Sequence, residues 1–182
     1  MKDDNSFYKF QVFSTIFSLI SGVLLHFAYE WSGNNTFVGL FSAVNESTWE
    51  HLKLIFFPML ITVIIGYFIF KNDFSSYICA KTIGIICAML FTIIFFYTYT
   101  GVVGTNYDFL NIATFIIAVI LGEYVTYILT FNHIGCNKSS STIILILLVT
   151  AFFIFTFNPP KINLFKDPIN NSYGIKKAFS LF

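Results

Sequence analysis

Histidine and glutamate residues near the ends of two consecutive apolar segments have the chemistry of a metal site. His26 and Glu30 are four residues apart, so they share one face if their segment is helical. After a long polar connection come Glu46, and then Glu50 and His51 at the start of the next apolar segment. Imidazole nitrogens and carboxylate oxygens bind divalent ions such as Zn²⁺, and a further carboxylate can act as general base toward a bound water. The pattern predicts His26, Glu30 and Glu46 as metal ligands and Glu50 and His51 as catalytic residues.

The same residues also fit a helix start without any chemistry. Ser47 and Glu50 match a capping box, in which the serine caps the helix and the glutamate reaches back to the serine backbone. Lys53 follows Glu50 by three residues and can pair with it. His51 lies about 100° around a helix from Glu50, so the two side chains would diverge. The sequence contains no H-E-x-x-H signature, and both interpretations stay open.

Glu123 lies deep inside the fourth apolar segment, where an ionised carboxylate is costly. Thr126, Tyr127 and Thr130 follow at helical spacing and predict a polar stripe that faces the interior of a bundle. The functional interpretation is an ion or proton relay, or a distant ligand of the first cluster. The alternative is a protonated glutamate that is hydrogen-bonded to a tyrosine or a backbone carbonyl.

The elements that must position these residues are apolar segments long enough to cross a bilayer. Of the 182 residues, 57% are hydrophobic and 10% are charged, whereas soluble domains carry about 25% charged residues. The polar side chains are too few to cover a water-facing surface, so lipid is the expected surrounding. We therefore predict an all-α fold, a polytopic membrane helix bundle that forms a single domain over residues 1–182. Its five transmembrane helices are expected at about 7–29, 50–70, 77–99, 108–131 and 142–157, before a polar C-terminal tail at 158–182.

Lysines near the helix ends predict that the N-terminus is cytoplasmic. With this orientation the inner side carries Lys2, Lys9, Lys71, Lys81 and Lys138, whereas the outer connections carry only Lys53. The tail adds further lysines on the outer side. Lys81 lies within the third apolar segment and is expected to extend its ammonium group to the interface. Five spans also place the connections at 31–48 and 100–108 on the same side as the tail, and these hold most of the polar motifs.

The charge of the chain bears on its partners. A net charge of +1 excludes the concentrated basic face that nucleic acids require. The expected partners are the lipid bilayer and a lipid or small-molecule substrate. The three cysteines, Cys79, Cys87 and Cys136, show no zinc or redox spacing and are expected to be reduced.

Four strings together resemble a family of small bacterial multipass membrane proteins of unknown function: HFAYEWSG, NESTWEHLKLIFFP, YTYTGVVGTNYD and FNPPKINLFKDPINNSYGI. The resemblance covers nearly the whole chain, from the first helix to Ile175. It implies a single-domain integral membrane protein of a bacterial cytoplasmic membrane, and it implies no activity. The sequence does not show the paired-glutamate and spaced-histidine pattern of intramembrane prenyl-protein proteases, nor a clear match to membrane ceramidases.

Three functions remain as hypotheses. The first is a metal-dependent hydrolase at one membrane face that acts on a lipid or lipid-linked substrate, and it is the best specific interpretation of the histidine and glutamate cluster. The second is a small ion- or proton-coupled transporter that uses Glu123. The third is a structural or accessory membrane protein without catalysis.

Overall fold

The computed structural model describes residues 4–70, 74, 76–132 and 137–175. Within these residues the protein is an all-α helix bundle, as predicted. Its helices are α1 (Asp4–Trp31), α2 (Thr36–Gly39), α3 (Thr48–Phe70), α4 (Tyr77–Val103), α5 (Asp108–Phe131) and α6 (Lys138–Phe157), and a single 3₁₀ turn follows at Asn163–Phe165. All except α2 and this turn are long and apolar enough to cross a membrane, which fits a multipass membrane protein. Three residues named above, Lys2, Lys71 and Cys136, lie outside the described residues, as do two of the tail lysines, Lys176 and Lys177.

Helix α6 begins at Lys138, earlier than the sequence predicts. The side chain of Asn137 caps it by accepting a hydrogen bond from the Ser139 amide. The hydroxyls of Ser141 and Thr142 donate to the carbonyl oxygens four residues before them, so this polar segment satisfies itself as a helix. With 20 residues at ~1.5 Å each, α6 reaches roughly 30 Å, the thickness of a bilayer core.

Close approaches at glycines hold the long helices together. A Cβ atom on Gly84 of α4 would lie 2.3 Å from the carbonyl oxygen of Gly122 in α5, so only glycine fits there. A Cβ atom on Gly22 of α1 would lie 2.6 Å from the carbonyl oxygen of Leu54 in α3. The second contact brings the end of α1 against the start of α3, where the candidate residues lie.

Helix α3 forms the centre of the bundle. Its side chains Leu52, Ile55, Phe56 and Met59 are almost fully buried, and they belong to one hydrophobic core with residues of α4, α5 and α6. An apolar helix that is buried on most of its sides needs neighbours all around it. The start of α3 is therefore fixed in place by packing as well as by its cap.

The polar connections meet at one end of the bundle. The side-chain amide of Asn45 donates to the carbonyl oxygen of Gly174 at 3.1 Å, which joins the first connection to the tail. The amide of Ile175 donates to the carbonyl oxygen of Thr156 at 2.9 Å, so the tail folds back onto α6. Asn106 and Asp108 of the connection at 100–108 line one cavity with Glu46 and Ile169, so the polar connections and the tail lie together at this end of the bundle, as predicted.

The cysteine expectation needs a correction. Cys79, in the first turn of α4, is disulfide-bonded, so the prediction that it is reduced was wrong. Cys87, two turns further along α4, is free as expected. Spacing alone could not separate the two residues because a disulfide depends on which segments meet in three dimensions.

Candidate metal centre

Three of the predicted residues converge at the polar end of the bundle. His26, Glu46 and His51 each offer a ligand atom, and these atoms all lie within 4.8 Å of one another. The Nε2 atom of His51 lies 3.4 Å from Oε2 of Glu46, and the two imidazole centroids are 5.2 Å apart. Two imidazoles and one carboxylate form a common three-ligand set for a catalytic divalent metal. We call His26, Glu46 and His51 the triad.

Local structure positions each member of the triad. His26 follows Gly22 by about one helical turn, so the close contact of α1 with α3 places its ring beside the first turn of α3. Ser47 caps α3 by accepting the Glu50 amide at 3.4 Å, as predicted. The Ser47 amide in turn donates to Oδ1 of Asn45 at 2.9 Å, which fixes the segment that carries Glu46.

The His51 ring is held in one tautomer by its own helix start. Its Nδ1 atom lies 2.9 Å from the carbonyl oxygen of Ser47, and because a carbonyl can only accept, Nδ1 is the donor. Nε2 faces the Glu46 carboxylate at 3.4 Å and carries a proton while it is hydrogen-bonded to it, and loss of that proton would free the Nε2 lone pair for a metal. A backbone carbonyl on the second ring nitrogen is the usual way in which proteins orient a metal-binding histidine.

His26 has an unsatisfied ring nitrogen. Its Nδ1 atom is buried and has no hydrogen-bond partner among the described residues. A buried polar atom without a partner costs free energy unless water or an ion satisfies it. A cation bound at this Nδ1 would supply that partner.

Glu46 supplies negative charge at the opening of the triad. Its side chain is 43% exposed. The hydrogen bond with His51 holds the pKa of Glu46 below its ordinary value, against the opposing effect of partial burial. The carboxylate is therefore ionised near neutral pH, the form that binds metals.

The other two predicted residues lie outside the triad. Glu30 is exposed, and it lines a cavity of about 930 Å³, the loop cavity, together with His26 and Glu46. Glu50 is 1% exposed, and its carboxylate lies 2.6 Å from Nζ of Lys53, as the spacing predicted. It also accepts the Val44 amide at 3.2 Å, so the predicted reach back to the Ser47 backbone was wrong.

A second cavity opens on the other side of the triad. It has a volume of about 180 Å³ and lies among the starts of α3 and α5, the second half of α4 and the tail. Glu46 and His51 line it, together with Asn106, Asp108 and Asn111. We call it the head cavity. Because Glu46 lines both cavities, the triad stands between them.

Glu123 belongs to a separate buried cluster. Its carboxylate lies 2.5 Å from Nζ of Lys81 and accepts hydrogen bonds from Ser14 and from the Gln11 side chain. Lys81 is fully buried, so the expectation that it reaches the interface was wrong. The buried carboxylate on the neighbouring antiparallel helix attracts the ammonium inward. The sequence did hold a signal for this pair, since both residues lie within a few turns of the same membrane side.

The hydroxyl stripe beside Glu123 bonds within its own helix. Thr126 and Thr130 are fully buried, as predicted, and their hydroxyls donate to the carbonyl oxygens of Gly122 and Thr126. Neither of these two hydrogen bonds involves the Glu123 carboxylate. The interior position of the stripe is therefore explained by helix packing.

Comparison with known proteins places the chain in a family. A family model described as "Family of unknown function (DUF6512)" matches residues 1–175. The chain belongs to this family. No curated protein and no solved structure matches it. The matched region includes the triad, both cavities and the ordered tail, and the family description names no activity, so the chemistry must be argued from the site.

Proposed function

We propose that the triad binds a divalent cation such as Zn²⁺ and that the protein is a metal-dependent hydrolase for a lipid or lipid-linked substrate. The observation that carries the proposal is the convergence of two imidazoles and one carboxylate from α1, α3 and the connection between them. The fixed tautomer of His51 and the unpartnered Nδ1 of His26 support it. Three protein ligands leave a fourth position for water, the arrangement of catalytic zinc sites.

The chemistry proposed is hydrolysis of an ester or amide. A metal held by the triad would lower the pKa of a bound water, and the oxygen of that water would add to the carbonyl carbon of the substrate. The bond from that carbon to the leaving oxygen or nitrogen would then break, and the leaving group would take a proton from solvent. We assign the removal of the water's proton to Glu30, which is exposed in the loop cavity beside His26 and Glu46, on the side of the triad away from the head cavity. Glu50, the base expected from the sequence, has its carboxylate engaged by Lys53 instead.

A lipid substrate fits the position of the site. The triad lies at the end of helices that are long enough to span a bilayer, where acyl chains and water meet. The head cavity has apolar walls, including Phe96 and Phe115, beside its polar ones. A substrate can therefore keep its chain in lipid and present its polar end to the triad.

The same proposal includes an orientation, with the N-terminus in the cytoplasm of a bacterial cell and the triad on the outer side. This orientation rests on the lysines, since the disulfide at Cys79 lies at the N-terminal end and by itself favours the opposite orientation. Lys53 is buried and paired with Glu50, so it does not count among the loop charges. A test is a cysteine at the exposed Gly101 position, where a side chain meets nothing within 4 Å. We expect a membrane-impermeant maleimide to label it in intact cells. Labelling only after lysis would reverse the orientation.

The metal proposal is tested by the zinc content of the purified protein. After chelation and reloading, we expect about one zinc per chain and an affinity that falls by 100-fold or more in His26→Ala, Glu46→Ala and His51→Ala, because loss of even a supporting group costs roughly 10–100-fold. Glu30→Gln is the matched variant, which should keep its zinc and lose hydrolysis. Wild-type protein without zinc, or triad variants that bind it as tightly, would refute the proposal.

A transporter that uses Glu123 is the second candidate, and the buried charge at this position favours it. The contacts with Lys81, Ser14 and Gln11 also suffice for a structural role, in which they tie α1, α4 and α5 together. Proton flux into liposomes separates the two roles. Flux that is lost in Glu123→Gln while the protein stays folded supports transport, and an absence of flux in the wild type leaves the structural role.

A further inference from the structure

The polar wall of the head cavity offers mainly hydrogen-bond acceptors. The hydroxyls of Thr92 and Thr114 donate to carbonyl oxygens of their own helices, so their free lone pairs can face a ligand. Asp108 and Glu46 add carboxylate oxygens. A ligand that carries hydroxyl hydrogens complements such a wall, and a ligand that carries only acceptors does not.

The donors at this wall are fewer. The Asn111 side-chain amide donates to Oδ1 of Asn106 at 2.8 Å, and the Tyr99 hydroxyl lies within hydrogen-bond distance of the side-chain oxygens of both Asn106 and Asn111. These bonds leave the Asn106 side-chain NH₂ and the second N–H of Asn111 as neutral donors. Neutral amides suit the oxygen of a hydroxyl group, but they are weak substitutes for the charged donors of a phosphate site.

The charge of the cavity also disfavours a phosphate. The chain contains no arginine, and no lysine is among the described residues that line the head cavity. Asp108 is the first residue of α5 and occupies the helix N-terminus, where a bound anion would otherwise be stabilised. A phosphate would therefore meet two carboxylates, with the proposed metal as the compensating charge.

The size and the apolar walls narrow the ligand further. A cavity of about 180 Å³ holds a group of a few heavy atoms, since an engineered cavity of about 150 Å³ binds benzene. Leu54, Ile55, Phe96 and Phe115 line its other walls and suit the first carbons of an acyl chain. A glycerol group attached to one acyl chain has this size and polarity.

We propose that the head cavity binds the uncharged, hydroxyl-bearing head of a single-chain lipid ester, such as a monoacylglycerol, in preference to a phosphate-bearing head. This inference rests on the proposed metal site, because Glu46 and His51 belong to both. The ester carbonyl lies next to the triad when the glycerol group fills the cavity. The acceptor wall then selects the substrate by its hydroxyl hydrogens.

The test uses cobalt in place of zinc, because Co²⁺ has a visible spectrum that reports changes at the metal. Full-length protein in phosphatidylcholine nanodiscs is loaded with Co²⁺ and titrated with monooleoylglycerol or with oleoyl lysophosphatidate, which differ by the phosphate. We expect monooleoylglycerol to change the spectrum at a concentration at least about tenfold lower, because like-charge contacts oppose the phosphate. Asp108→Asn should narrow this preference, and Asp108→Lys should narrow it further or reverse it.

The other outcomes are distinct. If cobalt binds and its spectrum responds to lysophosphatidate at the same or a lower concentration than to monooleoylglycerol, this inference is overturned and the proposed metal site is retained. A spectrum that neither lipid changes overturns it as well. Protein that binds no cobalt refutes the proposed function, and this inference with it.

Discussion

The buried pair of Lys81 and Glu123 gives the sharpest test of how the bundle is held together. Lys81 is fully buried and Glu123 is 2% exposed, so removal of one partner leaves a charge with no water to solvate it. Such single removals cost about 3–5 kcal/mol. In Lys81→Met the carboxylate keeps Ser14 and Gln11 as donors, so we expect the lower end of that range. In Glu123→Gln the Lys81 ammonium loses its counter-charge and keeps its 2.8 Å hydrogen bond to the Ser14 hydroxyl, so we expect a loss at the upper end of that range.

The double variant Lys81→Met/Glu123→Gln removes both charges together. Replacement of a whole buried ion pair by neutral groups is often nearly neutral, so we expect a loss of about 1 kcal/mol. Against single losses of about 3 and 5 kcal/mol, this corresponds to a coupling energy of about 7 kcal/mol. The free energy of unfolding is measured by titrating sodium dodecyl sulfate into detergent micelles while recording the fluorescence of Trp31 and Trp49. Lys9→Met, which removes an exposed lysine of α1, is the control and should change little.

Two results would refute this reasoning. Single variants that each lose less than about 1 kcal/mol would show that the charges are solvated in the folded protein, contrary to their burial. A double variant whose loss equals the sum of the singles would show that the two residues do not interact energetically.

Three further predictions concern the triad and its support. Gly22→Val should weaken zinc binding although Gly22 is not a ligand, because its Cβ would lie 2.6 Å from the Leu54 carbonyl oxygen and push α1 away from α3. Gly101→Val is the control and should leave the zinc affinity unchanged, since a Cβ there meets nothing within 4 Å. Equal zinc affinities in the two variants would contradict the role of the α1–α3 contact. Glu50→Gln should lower the free energy of unfolding by only about 1–3 kcal/mol, since Lys53 retains its bonds to Gly39, Ser42 and Thr156. The variant should keep both zinc binding and hydrolysis. Loss of hydrolysis in a folded, zinc-loaded variant would instead identify Glu50 as the base. Zinc at about 100 times the wild-type Kd should raise the free energy of unfolding by about 2.7 kcal/mol in the wild type and by no more than about 0.4 kcal/mol in His51→Ala, whose affinity is at least about 100-fold weaker. A similar rise in both proteins would place the zinc elsewhere.

The fold could be read from the sequence because the bilayer leaves few choices. Backbone groups in lipid must be satisfied within a helix, so each long apolar segment predicts a helix directly. The start of α6 was missed because Ser139 and Ser141 look like a loop in sequence, yet the Ser139 amide is capped by the Asn137 side chain and the Ser141 hydroxyl donates to the Asn137 carbonyl oxygen. Lys81 was misplaced for a related reason, since its environment depends on a partner far away in the chain.

The candidate site could be predicted in part because helical geometry is local. His26 and His51 were both named from their positions at two adjacent helix ends, and the structure brings them together with Glu46. Glu30 shares the face of His26 but lies one turn nearer the end of α1, beyond the triad. The sequence could not decide which group the Glu50 side chain binds, because both the Ser47 backbone amide and the Lys53 ammonium group were within its reach.

The divergence of Glu50 and His51 explains how this helix start can serve both a site and a fold. His51 points toward His26 and Glu46, while Glu50 turns into the core and pairs with Lys53. Lys53 then binds the carbonyl oxygens of Gly39 and Ser42 and the hydroxyl of Thr156, so one ammonium group fixes the first connection and α6 against α3. Since these anchors are not themselves the proposed ligands, the triad geometry is set before any ion arrives, and little ordering cost remains for binding.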